Sequence, residues 1–203
     1  MAINSSQTAY EIIRERIISC QYMPGEILSE TKLIKELSIG RTPIREALIR
    51  LEHESFVRIF PKRGVFVADI SVQEINDVFG MLYILEPIAA VEAIKTADRG
   101  ALQEYLAIFE DSDSSNYEKN YFEIDYNFHY LINSSSSNQL LTKELMNLYA
   151  RNTRIRHSTH KRWMANTKRE HAGIIQAILS ENPTLVEIRM QEHIENGRRN
   201  ALT

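Results

Sequence analysis

Residues 29–68 read SETKLIKELSIGRTPIREALIRLEHESFVRIFPKRGVFVA, and the periodicities along this stretch decide the fold of the N-terminal part of the chain. Ser29 can cap a short helix carried by Leu33, Ile34 and Leu37, with Glu30 in the first turn, where an acid suits the positive end of the helix dipole. Ser38-Ile39-Gly40 interrupts it. A second helix is expected from Thr42-Pro43, with Thr42 as its cap and Pro43 in the first turn, where a missing N–H is tolerated. Ile44, Ala47, Leu48 and Leu51 give that helix an apolar stripe ending near Glu54. The β-branched and aromatic runs Phe56–Phe60 and Val65–Ala68, around the turn Pro61-Lys62-Arg63-Gly64, then predict a hairpin.

Upstream, Ile12, Ile13, Ile17 and Ile18 recur at helical spacing among Glu11, Arg14, Glu15 and Arg16, and the pattern stops at Pro24-Gly25. Helix, helix, helix, hairpin is the order of a winged helix-turn-helix. Such a module reads DNA with the N-terminal end of its last helix, which places Arg41, Thr42 and Arg45 at base edges or phosphates, Arg being able to donate two hydrogen bonds to guanine. Lys62 and Arg63, on the Gly64 turn, would reach a phosphate or the minor groove. Each charge alone reads more readily as an ordinary solvated surface group; it is their placement at the two tips of one motif that points to DNA. The net charge of −3 agrees once its distribution is read: Lys and Arg outnumber Asp and Glu by ten to eight up to Ala68, and fall short by fourteen to nineteen beyond it.

From Ser71 onward every periodic segment is helical, with helices expected near 72–97, 99–110, 117–134, 137–158, 163–181 and 183–200, and with Gly80 or Pro87 able to kink or split the first. Short connections, such as the polar loop Asn133–Asn138, make this an antiparallel bundle. The expected fold is therefore mainly α, with three helices plus a β-hairpin wing over 1–70 and an all-α bundle over 71–203. A chain of 203 residues, 43% hydrophobic and 25% charged, can bury a core in each part. The single cysteine, Cys20, excludes an intramolecular disulfide, and no apolar run or leader suggests a membrane span or secretion, so a reducing, cytoplasmic setting is expected.

Within YFEIDYNFHYLI (121–132), Asp125 and His129 are four residues apart and share one face of a helix, flanked by Tyr121, Phe122, Phe128 and Ile132, which turns that face into the bundle. His171 precedes Ile174, Ile175 and Ile178, and His193 lies beside Met190 and Ile194. A buried histidine taken alone is commonly a packed, hydrogen-bonded core residue. One carboxylate and three imidazoles converging from three helices form instead a donor set suited to zinc, nickel, manganese or iron rather than calcium.

The residues Glu30-x-x-Leu33-x-x-x-Leu37, the string RTPIREAL (41–48) and the wing RGVFV (63–67) closely resemble the DNA-binding domain of GntR-family regulators. The resemblance implies that Arg41, Thr42 and Arg45 contact DNA and that Gly64 is the wing-tip glycine. It departs at Thr31, where the family has an arginine, and at Ser38 and Gly40, where the turn usually carries glycine and serine. The second part resembles the FCD domain of the FadR subfamily, in a VanR-like form. That resemblance implies a divalent metal, zinc foremost, bound by Asp125, His129, His171 and His193. FCD domains commonly place an arginine at the position of Leu82; with leucine there, Arg151, Arg154 or Arg156 could supply the missing clamp for a carboxylate. His157 and His160 are assigned no site.

The expected function is a sequence-specific transcriptional regulator, not an enzyme, that binds double-stranded operator DNA as a homodimer and answers to a small organic acid held near the metal. Two alternatives stand beside it: a metal-dependent hydrolase, since an open metal position can activate water, and a DNA-binding protein whose metal is purely structural.

Overall fold

The computed structural model describes residues 5–111, 113, 115–159 and 164–203. Its contacts divide the chain into two compact units, one reaching Ser71 and the other starting at Val72.

The first unit contains α1 (Ser5–Ile18), β1 (Ile27–Leu28), α2 (Glu30–Leu37), α3 (Arg41–His53), β2 (Val57–Phe60) and β3 (Gly64–Val67). Ala9, Tyr10, Ile13 and Ile17 of α1 bury against Ile44, Ala47, Leu48 and Leu51 of α3, because each set repeats at three- and four-residue steps on one helical face. Ser29 caps α2 by accepting a hydrogen bond from Lys32 N at 3.3 Å, and Ser38 ends that helix in the left-handed conformation at φ 54°. The next helix is capped two residues earlier than expected: Gly40 is the N-cap, Arg41 the first residue, and Thr42 makes no cap. The extended φ and ψ of Gly40 supply the cap geometry. Arg41 is thereby the outermost residue of α3.

The wing is a three-stranded antiparallel sheet in the order β1-β3-β2, rather than a simple hairpin. β2 and β3 pair from Val57↔Val67 to Phe60↔Gly64, and β1 adds Ile27↔Phe66 and Leu28↔Val65. Lys62 and Gly64 turn the tip with φ 64° and 107°; the second value is natural only to glycine.

The second unit is all helical: α4 (Val72–Thr96), α5 (Arg99–Glu110), α6 (Ser115–Lys119), α7 (Tyr121–Ser134), α8 (Gln139–Thr159), α9 (Met164–Leu179) and α10 (Pro183–Leu202). The expected helix 117–134 is two helices that break at Asn120, while α4 runs through both Gly80 and Pro87 as a single helix. Asp98, Asn138 and Asn182 accept the free backbone N–H groups that open α5, α8 and α10. α4 packs against α7, α8, α9 and α10, so residues from all five can meet around it. Phe128 on α7 is fully buried against Tyr105, Phe109 and His171; a side chain of this size contributes about 1.5–3 kcal/mol by leaving water. Among the described residues no helix is long and apolar enough to cross a membrane.

Candidate metal centre and nucleic-acid interface

Three of the four expected metal ligands meet inside the helical unit. His129 on α7, His171 on α9 and His193 on α10 are buried and offer ligand nitrogens that all lie within 4.8 Å of one another. His129 Nδ1 lies 2.8 Å from Glu86 Oε1, and His193 Nδ1 lies 2.8 Å from Glu170 Oε2. A carboxylate behind Nδ1 draws the ring proton to that atom and leaves the Nε2 lone pair aimed at the centre. His129 Nε2 and His171 Nε2 are 3.2 Å apart. Two lone pairs at that distance repel unless a proton or a cation lies between them, and His171 Nδ1 is buried with no hydrogen-bond partner among the described residues.

Asp125, one turn before His129, is 4% exposed and stands at the rim of this triad. Its Oδ1 is 3.6 Å from His171 Nε2 and accepts no hydrogen bond from the described residues, while its Oδ2 accepts one from Arg156 Nη1. Burial pushes the Asp125 carboxyl up to about 8, against the pull of His193. Burial, followed by the neighbouring His193, His129 and Arg156, holds His171 well below the usual imidazole range, so its ring is neutral and able to donate a lone pair. For Glu170 burial acts upward, but hydrogen bonds from His193 and Asn196 outweigh it and keep the carboxyl below its ordinary value. The donor set fits a divalent cation: three imidazoles, two of them backed by carboxylates, and beside them one Asp125 oxygen that accepts no hydrogen bond from the described residues.

Of the three arginines considered for an effector, Arg151 is spent on Glu74 at 3.1 Å, Arg154 is fully buried, and Arg156 lines a small cavity next to His193. Tyr149, Asn152, Thr167, Glu170 and Asn200 add polar groups to that cavity; Phe79, Leu82 and Ile194 close its apolar side. The space open to the centre of a water is about 10 Å³, enough for about one molecule. Burial lowers the Arg156 guanidinium only to about 10, so it remains cationic at neutral pH. Phe122, expected to flank the buried face, is instead 37% exposed and stacks on His157 at 3.7 Å. His160 lies outside the described residues.

Sequence reasoning missed the two carboxylates. Glu86 is completely buried on α4 and accepts from His129, from Asn133 Nδ2 at 3.3 Å and from the Tyr149 hydroxyl at 3.3 Å. One acid among Leu82, Ala89, Ala90 and Ala93 on the inward side of an apolar helix was the available signal. Glu170, adjacent to His171, carried no signal of its own, because its partner is 23 residues away on another helix.

In the first unit, Arg41, Thr42 and Arg45 are exposed together on the first turns of α3, and Lys62, Arg63 and Gly64 are exposed at the wing tip. Ile44, Leu48 and Leu51 occupy the buried face of α3, which leaves the arginine face to solvent. Arg45 Nε donates to Glu30 Oε2 at 2.9 Å.

Comparison with known proteins agrees with both halves. Residues 5–67 match the gntR family of bacterial regulatory proteins, and residues 77–196 match the FCD domain. The HTH-type transcriptional repressor RspR of Escherichia coli K12 is 28% identical over 195 residues, covering 94% of this chain and 86% of that protein. Two solved structures share the fold over nearly the whole chain: a GntR regulator from Rhodococcus sp. RHA1 (TM-score 0.81, 20% identity, 97% of each chain) and E. coli McbR/YncC (0.82, 16%, 98% of each). The Zn²⁺-bound FCD domain of TM0439 matches 66% of this chain and 96% of its own, with a TM-score of 0.57 and 19% identity.

Proposed function

Since the chain belongs to the GntR family of bacterial regulators and carries an FCD domain, we propose that it is a transcriptional regulator whose operator binding is governed by a small anionic effector held beside a divalent metal. The convergence of His129, His171 and His193, whose candidate ligand nitrogens lie within 4.8 Å of one another, carries this reading. Those three residues would hold the metal, Asp125 Oδ1 stands ready to join them, and the Zn²⁺ carried by the FCD domain of TM0439 supports zinc. When bound, the metal supplies a fixed positive charge to an anionic oxygen.

The protein's own residues do the rest. Glu86 and Glu170 set the histidine tautomers, and Arg156 presents a cation to the neighbouring cavity, on the side where Leu82 offers none. A ligand larger than one water must push apart walls drawn from α4, α8, α9 and α10. Its binding is then coupled to helix movement, which is what an effector needs in order to favour one arrangement over another. The chain acts as a homodimer through the helical unit. Met81, Ile84 and Ile88 of α4 and Ile188 of α10 are 45–63% exposed, and two half-sites compensate for a reading surface with few basic residues.

The test is elemental analysis of protein purified without chelators or a histidine tag, followed by thermal shift with a panel of small organic acids on metal-loaded and metal-stripped protein. About one metal per chain and a metal-dependent response to one acid are expected. Absence of metal refutes the site. Metal without any response that also releases DNA would leave it purely structural.

A further inference from the structure

We infer that Glu30 is a positioning residue for DNA reading: it grips Arg45 through Nε and holds the guanidinium with its two terminal nitrogens facing outward. The inference rests on α3 being the reading helix. Glu30 is the first residue of α2, capped by Ser29, so its backbone is fixed by the helix start. Arg45 sits one turn into α3, and the 2.9 Å bond ties the two helix beginnings together across the turn Ser38-Ile39-Gly40. The carboxylate is the less exposed partner, 32% against 58%, so the arginine is the group presented to solvent.

Which nitrogen is occupied matters. A guanidinium has five N–H groups, and bidentate contact to guanine O6 and N7 needs two of them in one plane. With Nε held by Glu30, the four N–H groups on Nη1 and Nη2 have no hydrogen-bond partner among the described residues, and the end-on approach through both Nη atoms is preset. Arginine has many rotamers, and fixing one before binding removes an ordering cost that a free side chain meets on the DNA. An exposed ion pair contributes little to folding, and the helix dipole favours an acid in the first turn of α2 whatever its side chain touches, so neither effect calls for the contact to Arg45 Nε. Coulomb repulsion from phosphates gives Glu30 an opposite effect on unspecific binding, and the two effects have opposite signs on the two kinds of DNA.

The experiment uses the full chain and two probes: a duplex recovered from a random-sequence pool by the wild-type protein, and a scrambled duplex of the same length. Glu30→Gln should weaken binding to the selected duplex by about 2- to 10-fold, the range of one side chain's ordering cost, while binding the scrambled duplex at least as tightly as wild type. In an Arg45→Ala background the same substitution should no longer weaken binding to the selected duplex, and relief of phosphate repulsion should act on it as it does on the scrambled one. A melting curve matching wild type shows that the variant folds. Tighter binding to both duplexes by similar factors would overturn the inference and leave Glu30 a mere charge. Equal weakening on both would overturn it too, as a structural role. If Arg45→Ala alone leaves the selected duplex bound at full strength, it is the assignment of α3 as reader that fails.

Discussion

Glu86→Gln isolates the carboxylate behind His129. Glutamine has nearly the same volume, so no cavity opens; its carbonyl oxygen can still accept from His129 Nδ1 and Asn133, and its amide can donate to the Tyr149 hydroxyl oxygen. What disappears is the negative charge that makes His129 Nε2 a strong donor. Loss of such a partner typically weakens metal binding by about 10- to 100-fold, or about 1.4–2.7 kcal/mol. At free zinc near 100 times the wild-type Kd, the native protein gains about 2.7 kcal/mol on binding, and the variant about 0.4–1.4 kcal/mol. For a unit of this size one kilocalorie moves Tm by about 4 °C, so zinc should raise wild-type Tm by about 10 °C and the variant's by about 2–6 °C. The metal-free proteins should melt within a few degrees of each other. Melts with zinc and with chelator, paired with a competition titration for Kd, measure both quantities. An identical zinc-induced shift in the two proteins would refute the idea that Glu86 tunes a metal-binding nitrogen.

Other outcomes follow from the same geometry. In metal-free protein, folded His171 resists protonation while the unfolded chain takes up a proton near 6.5, so stability should fall as pH drops through about 6.5; His171→Gln, melted across pH 7.5 to 5.5 with chelator, should lose that part of the slope. Ile84→Glu with Ile88→Glu places two charges on the exposed stripe of α4, and sedimentation should then show a 23.5 kDa species in place of the dimer expected of wild type; a dimer that persists places the interface elsewhere. Arg41→Ala should weaken operator binding by about 1–3 kcal/mol with relaxed base preference if it reads a base, and should weaken all DNA alike, with a salt slope shallower by about one, if it touches phosphate.

The DNA-reading half was legible because its signals are local: a cap, a turn, an apolar stripe and a glycine tip all lie within 40 residues of chain. The imidazole triad was legible for a related reason, since helical periodicity turns His129, His171 and His193 toward the same interior as Phe128, Ile175 and Met190. What escaped depends on pairing across the fold. β1 has only two residues, and nothing in Ile27-Leu28 announces that Phe66 and Val65 lie beside it. The Asp125–Arg156 ion pair joins residues 31 apart, and it moved Arg156 from a surface charge into the interior. The start of α3 was misjudged because Thr42 is the better capping side chain, whereas Gly40 has the required backbone angles. The near-closure of the cavity is a matter of packing volume, which no periodicity encodes.

Helix α4 carries the acid that supports His129 on one side and the bare isoleucines on the other, with Glu86 lying in sequence between Ile84 and Ile88. Because each residue advances an α-helix by 100° and 1.5 Å, these duties are indexed to one another: neither can be retuned by sliding the helix without disturbing the other. One apolar side chain can replace another on the outer face without moving Glu86, but a single inserted or deleted residue between Leu82 and Glu86 would change the angle between the acid and the preceding part of the helix by about 100°. In this stretch the length of the chain is under tighter constraint than its composition. Pro87, which cannot donate to the carbonyl of Tyr83, leaves one rung of that helix unbonded beside the acid.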